Sequence, residues 1–399
     1  MEKIYLFLCP NTFTKIDWER FEVKYFLENN KVLIFDLKNI LYPNLKKNDA
    51  KEYKDEIIFR FKNIYQFIKE FTKLIKKYSV RNICIINFVK CERFKDQILL
   101  LIISFLRFKI ISFYNPGLPR LKSLQYFKNN NKKAFLYKKY FSFYSIKFIE
   151  QILFRYLFSF IINKKMAILG NVRDKKNILK KYPFNSFISG SSWDYSTFLR
   201  NQDEDFEMEL KDINYAVHLD GCGPGFVGDE ELTNLDGKYY QPEKVDSWYP
   251  KLNRFFKFIE ETYNIKYYIA AHPRTNKKII SELYEGRKTF KNKTIELIKN
   301  ASLVSTRGST AISYAAIFKK PVVFLTSNLY NNWESFSNNQ KCYLDFWDKE
   351  AINVDDVSYK KKFVMPYVDI NKCKKYVNLF LSSNEKPNYF MIKQFFDTK

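Results

Sequence analysis

Several residue types that mark common protein classes are scarce in this chain of 399 residues. It has six cysteines and no Cys-x-x-Cys pair, so neither a zinc site nor a disulfide-stapled fold is expected, and the thiols are predicted to be reduced and mostly buried. No repeat with a period of 20–50 residues is apparent, which excludes a solenoid. The absence of a GxxxxGK[ST] motif argues against a P-loop nucleotide hydrolase.

Long hydrophobic runs are also lacking. The most apolar stretch, Ile98–Phe113, is interrupted by Arg107 and Lys109 before it reaches the ~20 residues that a membrane span requires. The apolar run at the N-terminus is too short for a signal peptide and is predicted to be the first β-strand. A cytoplasmic protein is therefore expected.

Positive charge is the largest compositional bias. The chain has 68 Lys plus Arg against 43 Asp plus Glu, a net charge of +25, which suggests a polyanionic partner or surface. The segment Lys132–Lys165 is basic, aromatic and helical in pattern, so it is a candidate for peripheral contact with the inner face of the cytoplasmic membrane. The alternative is an ordinary helix whose aromatic face packs on a sheet.

Strand-like and helix-like runs alternate along the whole chain. This pattern predicts parallel sheets covered on both faces, and hence an α/β fold with two Rossmann-like doubly wound domains facing a cleft. We expect an N-terminal domain over residues 1–200, an acidic linker at 201–212 and a C-terminal domain over 213–375. Residues 376–399 are predicted to form a C-terminal helix that packs back on the first domain.

The first candidate motif follows the predicted strand at Tyr215. This strand ends at Asp220-Gly221, and four of the ten glycines lie between Gly221 and Gly228. Asp-Gly is in the first place a turn signal. A glycine-rich loop also lets a ligand approach closely, and Asp220 at the strand tip could take a proton from an attacking hydroxyl. Asp229 and Glu230 are rivals for that role.

The second motif is His272-Pro273-Arg274, directly after the predicted strand "KYYIAA". His272 is one of only two histidines in the chain. Proline stiffens the turn, and histidine and arginine donors together suit a phosphate group.

The third motif is Arg307-Gly308-Ser309-Thr310, between a predicted strand and a predicted helix. Ser309 or Thr310 is expected to cap that helix, and a glycine followed by a helix N-terminus can bind an anion. A plain capped helix would have the same sequence.

The order Asp220-Gly221, His272-Pro273, Ser309-Thr310 resembles the bacterial sialyltransferases and polysialyltransferases of the GT-B fold. The resemblance covers about residues 212–330. It implies that Asp220 is the general base, that His272 and the Ser309-Thr310 loop bind the nucleotide phosphate, and that Glu296 contacts the ribose. Leu219 stands where the first motif often has a second acidic residue.

The resemblance implies an inverting, metal-independent glycosyltransferase without a cofactor. It would move a nonulosonate or Kdo sugar from a CMP donor to a glycan or glycolipid acceptor of the bacterial surface. His272, Pro273, Arg274, Glu296, Arg307, Gly308, Ser309 and Thr310 would bind the donor. The alternatives are a GT-B transferase that uses a UDP- or GDP-sugar, and a basic nucleic-acid-binding scaffold. No RRM, KH or helix-turn-helix signature supports the scaffold, so no nucleic-acid partner is expected.

Overall fold

The computed structural model describes the chain in segments separated by gaps. These segments are 2–43, 53, 55–89, 94–106, 108–114, 166–176, 186–201, 214–221, 223–224, 242–272, 275 and 277–398. Predictions that concern 132–165, and those for residues 202–212 of the acidic linker, lie outside the described residues. So do Cys91, Cys222, Pro273, Arg274, Asp229 and Glu230.

The described strands form two sheets in which every pairing is parallel. The first sheet has seven strands in the order β3-β2-β1-β4-β5-β6-β7. Its strands are β1 Ile4–Cys9, β2 Lys31–Asp36, β3 Ile58–Arg60, β4 Ile83–Asn87, β5 Lys109–Tyr114, β6 Met166–Gly170 and β7 Ser186–Ser189.

The second sheet has six strands in the order β10-β9-β8-β11-β12-β13. Its strands are β8 Tyr215–Leu219, β9 Lys266–Ala271, β10 Thr289–Lys291, β11 Leu303–Thr306, β12 Val322–Thr326 and β13 Ala351–Asn353. In both sheets the strand order reverses direction near the first strand, which is the arrangement of a doubly wound fold.

Helices lie along both faces of the sheets. The described α-helices span Lys15–Arg20, Val23–Leu27, Lys38–Leu41, Ile64–Lys77, Phe94–Phe105, Trp193–Arg200, Val245–Tyr263, Lys277–Leu283, Thr294–Asn300, Ile312–Ile317, Asn328–Asn331, Glu334–Trp347, Tyr359–Lys362, Ile370–Tyr376 and Asn388–Asp397. Short 3-10 turns occupy Val80–Asn82 and Val172–Asp174, and a π-helical turn occupies Val377–Leu381.

The cores show why the buried strands have continuous apolar runs. Along β1, Ile4, Leu6 and Leu8 contribute to one apolar cluster, while Tyr5 and Phe7 contribute to another. The second sheet is likewise covered on both faces by separate clusters. Successive side chains of a strand point to opposite faces, so a strand buried on both sides needs apolar residues throughout. The predicted fold class, two doubly wound α/β units, is confirmed, and it is the architecture that the GT-B expectation requires.

Two segments in the first half, 17–30 and 55–78, have the apolar spacing of an amphipathic helix, which predicts a single helix for each, and both predictions were wrong in detail. The segment from Asp55 to Tyr78 was expected to be one long helix, but it contains the edge strand β3 and then the helix Ile64–Lys77, which Asn63 caps at its N-terminus. The segment 17–30 was also expected to be a single helix. It is interrupted at Glu22, whose φ of 60° is left-handed and therefore incompatible with a continuing right-handed helix.

Glu22 is placed at this break by a buried polar network. Its carboxylate is 1% exposed, pairs with Arg200 at 3.2 Å, and accepts bonds from the Ser196 hydroxyl and from the backbone N–H of Tyr389 at 2.5 Å. The Ser196 hydroxyl in turn accepts the backbone N–H of Asn388 at 2.8 Å. The network therefore ties the helices Trp193–Arg200 and Asn388–Asp397 to the start of the helix Val23–Leu27, which packs on the first sheet.

The helix Trp193–Arg200 contacts residues of both α/β units. The Trp193 ring lies 4.7 Å from the ring of Phe113 at the end of β5. The Phe198 ring lies 5.7 Å from Phe318, which follows the helix Ile312–Ile317 of the second sheet. Farther along the chain, Ile392 and Phe396 of the last helix are buried against Tyr5 and other residues of the first sheet.

Within the segments given above, no helix has both the length and the apolar character needed to cross a membrane. The four cysteines in these segments are free and buried, as predicted: Cys9, Cys84, Cys342 and Cys373.

Candidate functional site

The candidate site lies where four neighbouring strands of the second sheet end. Leu219 at the end of β8 is paired with Ala270 of β9 on one side and with Thr306 of β11 on the other. Lys291 at the end of β10 is paired with Ala271 of β9. All four strands are parallel, so the loops that follow them meet at one edge, where ligands of doubly wound folds bind. The strand register therefore brings the ends of the three motif-bearing strands to one edge of the sheet.

Asp220 is the buried acid of this edge. Its side chain is 4% exposed. One carboxylate oxygen, Oδ1, accepts the hydroxyl of Tyr284 at 3.3 Å, and the other, Oδ2, accepts the backbone N–H of His272 at 3.4 Å. Burial raises the pKa of Asp220, while His272, Arg307 and the Tyr284 bond act in the opposite direction. A carboxylate with a raised pKa is a stronger base than a solvated one.

His272 follows β9 and is partly exposed, so it is the more accessible member of the pair. Its carbonyl accepts both the backbone N–H of Thr275 at 3.0 Å and the Thr275 hydroxyl at 2.7 Å, which fixes the turn after the strand. Burial lowers the pKa of His272, the Asp220 charge raises it, and Lys291 lowers it again. The imidazole is therefore neutral at pH 7 before an anion binds.

The other histidine, His218, has no such access. It lies on the same face of β8 as Asp220, is 2% exposed, and its Nδ1 lies 3.0 Å from the Ser305 hydroxyl. Burial lowers the pKa of His218 to about 3, so its ring stays neutral. His218 is accordingly a core residue that supports the strand under Asp220.

Arg307 brings a permanent positive charge to the same place. Its Nη2 donates to the Gly221 carbonyl at 3.4 Å, directly after Asp220. Its guanidinium lies 4.3 Å from the Tyr330 ring centre and 5.2 Å from that of Phe336. The Arg307 carbonyl accepts a bond from Gln340 at 2.6 Å. These contacts hold a weakly hydrated cation beside the acid, and the rings stabilise it through their electron-rich faces.

The loop after β11 differs from the prediction in one respect. Neither Ser309 nor Thr310 caps the helix, because the helix begins at Ile312 and Ala311 occupies the cap position without a side-chain bond. The Ser309 hydroxyl instead accepts the N–H of Ala311 at 3.3 Å. The physical reason lies one residue before the motif, where the Thr306 hydroxyl accepts the N–H groups of Gly308 at 3.1 Å and Ser309 at 2.9 Å.

These bonds use two of the amides that were expected to bind an anion. Gly308 and Thr310 are exposed and Ser309 is half-buried, so what this loop still offers is two accessible hydroxyls and an open backbone. A Cβ added to Gly308 would meet only Phe336, at an ordinary contact of 3.8 Å. The glycine is therefore not required by packing.

Glu296 lies at the same edge, on the helix Thr294–Asn300 that follows β10. It is in the first turn of that helix, is 8% exposed, and pairs with Lys293 at 3.0 Å. The position directly after β10 is compatible with the predicted ribose contact, which stays a prediction.

The loop after Asp220 is only partly described. Gly223 and Pro224 are buried there, and a Cβ on Gly223 would lie 2.9 Å from the Tyr249 hydroxyl, which donates to the Pro224 carbonyl at 3.3 Å. Gly223, Gly225 and Gly228 also have the GxGxxG spacing, which in dinucleotide-binding folds opens a helix. Residues 225–241 lie outside the described structure.

Two contributors to the site were not predicted from the sequence. Tyr284, at the end of the helix Lys277–Leu283, is fully buried and bonds Asp220 from a separate element. Thr306 organises the third loop, although in the sequence it reads as an ordinary strand residue. The Thr-x-Gly-Ser order is the only local signal, because a strand-end hydroxyl often accepts amides of the following turn.

The arrangement combines a basic carboxylate with cationic and hydroxyl donors at one sheet edge. Such a set can take a proton from a hydroxyl and stabilise negative charge on a nearby leaving group. Within the described residues, no group of three His, Cys, Asp or Glu side chains is placed to hold a metal ion.

Comparisons with known proteins show similarity at the level of architecture. No protein-family model matches the chain, and no curated protein matches its sequence. Among solved structures, UDP-GlcNAc 2-epimerase from Methanocaldococcus jannaschii is 13% identical with a TM-score of 0.47, over 98% of this chain and 99% of that chain. The wall teichoic acid polymerase TagF is 12% identical with a TM-score of 0.48, over 100% of this chain and 90% of that chain.

A putative UDP-N-acetylglucosamine 2-epimerase from Listeria monocytogenes is 10% identical with a TM-score of 0.44, over 94% of this chain and 95% of that chain. All three TM-scores are below 0.5. Likeness of this size carries no argument about the reaction, the donor or the acceptor of this chain.

Proposed function

We propose that this chain is a GT-B-type glycosyltransferase that binds a nucleotide-activated sugar at the edge formed by β8, β9 and β11. One observation carries the proposal: Asp220, His272 and Arg307, from three separated parts of the sequence, are joined by direct bonds between their loops. The acid and the cation face the same place, as transfer from an anionic leaving group requires.

The chemistry follows from the roles of these groups. Asp220 takes the proton of an acceptor hydroxyl, and the resulting alkoxide attacks the anomeric carbon of the donor. The bond from that carbon to the phosphate oxygen breaks, and the electron pair leaves with the nucleotide. His272, Arg307 and the hydroxyls of Ser309 and Thr310 stabilise the charge on the departing phosphate. Inversion at the anomeric carbon is expected from a single displacement.

The nucleotide base and the sugar are open to two interpretations. The CMP-nonulosonate or Kdo donor rests only on the motif order. None of the solved structures above is named for a CMP-sugar enzyme, whereas two are named for UDP-GlcNAc, so the UDP-sugar alternative stands beside the CMP donor. A glycan or glycolipid acceptor, peripheral membrane contact and metal independence belong to the same proposal.

A melting screen tests the nucleotide site. Wild-type protein is heated with CMP, UDP, GDP, CDP and UDP-N-acetylglucosamine, each at a saturating concentration. A ligand at about 100 times its Kd stabilises the folded state by about 2.7 kcal/mol, so we expect one nucleotide to raise the Tm by roughly 3 °C if the 399 residues unfold as one unit, and by more if the second domain unfolds separately. His272→Ala should remove most of this shift. Lys360→Ala should keep it, because Lys360 is exposed on the short helix Tyr359–Lys362 that follows β13.

The outcomes separate the interpretations. A shift with CMP alone favours the sialyltransferase-like donor, and a shift with UDP or UDP-N-acetylglucosamine favours the alternative. If no nucleotide shifts the Tm, or if His272→Ala responds like the wild type, the phosphate role is wrong.

A pH measurement tests the base separately. The Tyr284 hydroxyl bonds the ionised carboxylate and lowers the pKa of Asp220, so Tyr284→Phe should raise that pKa further. Because only ionised Asp220 accepts a proton, the acid limb of the kcat/KM profile should move to higher pH in Tyr284→Phe. Tyr263→Phe is the matched control. Tyr263 lies just before the start of β9, at the opposite edge of the sheet, and its hydroxyl donates to the Phe363 carbonyl. An unchanged limb in Tyr284→Phe would assign the titration to another group.

A further inference from the structure

The helix Ile64–Lys77, which packs on the first sheet, has large apolar side chains that the core does not cover. Phe67, Phe71 and Leu74 are buried and contribute to the core cluster on one face of that sheet. With about 100° of rotation per residue, these three side chains occupy an arc of about 60°. An ordinary surface helix would be polar over the rest of its circumference.

This helix is not polar there. Ile64, Tyr65 and Ile68 are 43%, 74% and 44% exposed. They lie within a second arc of about 100°, directly beside the buried one. Single exposed apolar side chains are common, but a contiguous group of large ones marks an interaction surface. We call these three residues the Ile64 face.

A strip of lysines borders the Ile64 face on its far side. Lys69, Lys73 and Lys76 occupy the next arc, and all three are exposed. Lys73 is paired with Glu70 at 2.8 Å, whereas no described carboxylate lies within 4.0 Å of Lys69 or Lys76. The order around the helix is therefore buried apolar, exposed apolar and basic.

We propose that the Ile64 face docks on the surface of an anionic lipid bilayer. Ile64 and Ile68 would enter the boundary between headgroups and acyl chains, and Tyr65 would lie at headgroup level, where tyrosine is enriched. Lys69 and Lys76 would face the anionic headgroups, which attract exposed lysines near a membrane surface. The positive charge of the lysine strip therefore favours an anionic bilayer as the surface that the Ile64 face binds.

A second copy of the chain fits the Ile64 face less well. It would bring a second lysine strip of the same sign to the contact, and like charges oppose association. The proposal is independent of sugar transfer, because the helix belongs to the first sheet and the candidate site to the second. It is also separate from the predicted contact of the segment Lys132–Lys165.

Vesicle flotation of the full chain tests the proposal. The vesicles contain either phosphatidylcholine alone or phosphatidylcholine with phosphatidylglycerol, and circular dichroism confirms that each variant is folded. We expect the wild type to float with the anionic vesicles and to be released as salt is raised. Ile64→Ser/Ile68→Ser and Lys69→Glu/Lys76→Glu should each lower the bound-to-free ratio at least tenfold.

Val357→Ser is the matched apolar control, since Val357 is 52% exposed in the turn between β13 and the helix Tyr359–Lys362, and it should bind like the wild type. Equal flotation of the isoleucine variant and the wild type would overturn the proposal, even if the whole chain binds vesicles through another segment. It would also be overturned if the isoleucine variant abolished self-association measured by sedimentation velocity and left flotation unchanged, because the Ile64 face would then be a contact between copies.

Discussion

Asp220→Asn should lose sugar transfer by about 10²–10⁴-fold in kcat, the range that a general base contributes, while nucleotide affinity stays within about threefold of the wild type. The amide cannot accept the acceptor proton, but its oxygen can still accept one of the two bonds now made by Tyr284 and the His272 backbone. The loops should therefore stay in place. Release of free nucleotide in the presence of acceptor measures the first quantity, and calorimetric titration measures the second.

The matched control for this prediction is Asp345→Asn. Asp345 is exposed on the helix Glu334–Trp347, so the same chemical change there should leave kcat unaltered. A variant Asp220→Asn that keeps more than about a tenth of the wild-type rate would move the base to another group, with Asp229 and Glu230 as the first candidates.

Glu22→Gln should lower the free energy of unfolding by about 3–5 kcal/mol, because it removes one partner of a buried ion pair and leaves the other without a counter-charge. The Arg200 side chain is 8% exposed, so water cannot replace the lost carboxylate. Denaturant unfolding followed by tryptophan fluorescence is a suitable measurement. Trp193 lies seven positions before Arg200 on the same helix and reports on this region.

Two further variants isolate the pair. Glu28→Gln makes the same change at an exposed position directly after the helix Val23–Leu27, whose other end Glu22 precedes. It should cost less than about 0.5 kcal/mol. Glu22→Gln/Arg200→Gln should cost less than the sum of the single variants, because the double change leaves no unpaired charge. Additive costs in this cycle would show that the ion pair itself contributes little.

The sequence predicted the architecture well because burial on both faces leaves a clear pattern. A continuous apolar run such as that of β1 is typical of a central strand in a covered sheet, and the alternation of such runs with helices predicts parallel pairing. The short edge strands β3, β10 and β13 were missed. Each has three residues and is partly exposed, so it lacks the apolar run that identifies a buried strand.

The break at Glu22 could not be read from the sequence for a different reason. Nothing in its neighbours stops a helix, and glutamate is not a residue that favours left-handed backbone. The conformation is imposed by partners far along the chain, namely Ser196, Arg200 and Tyr389. Tertiary contacts of this kind override local preference.

The candidate site likewise contains residues that the sequence predicted and residues that it did not. Asp220, His272 and Arg307 were predicted because polar residues directly after apolar strands are visible in the sequence, and parallel strands bring such ends together. Tyr284 was not predicted, since it reaches Asp220 from the end of a helix and no local pattern marks it. The capping role of Ser309 and Thr310 was wrong because Thr306 binds the amides first.

Hydrogen–deuterium exchange with and without nucleotide tests the central claim most directly, since it reports on each loop without assuming a reaction. With the nucleotide that gives the largest melting shift, we predict slower exchange together in peptides covering 219–224, 270–276 and 305–311, and little change in peptides from the first sheet. Slower exchange in only one of these peptides, or mainly around β1 and β2, would contradict a single nucleotide site built by Asp220, His272 and Arg307.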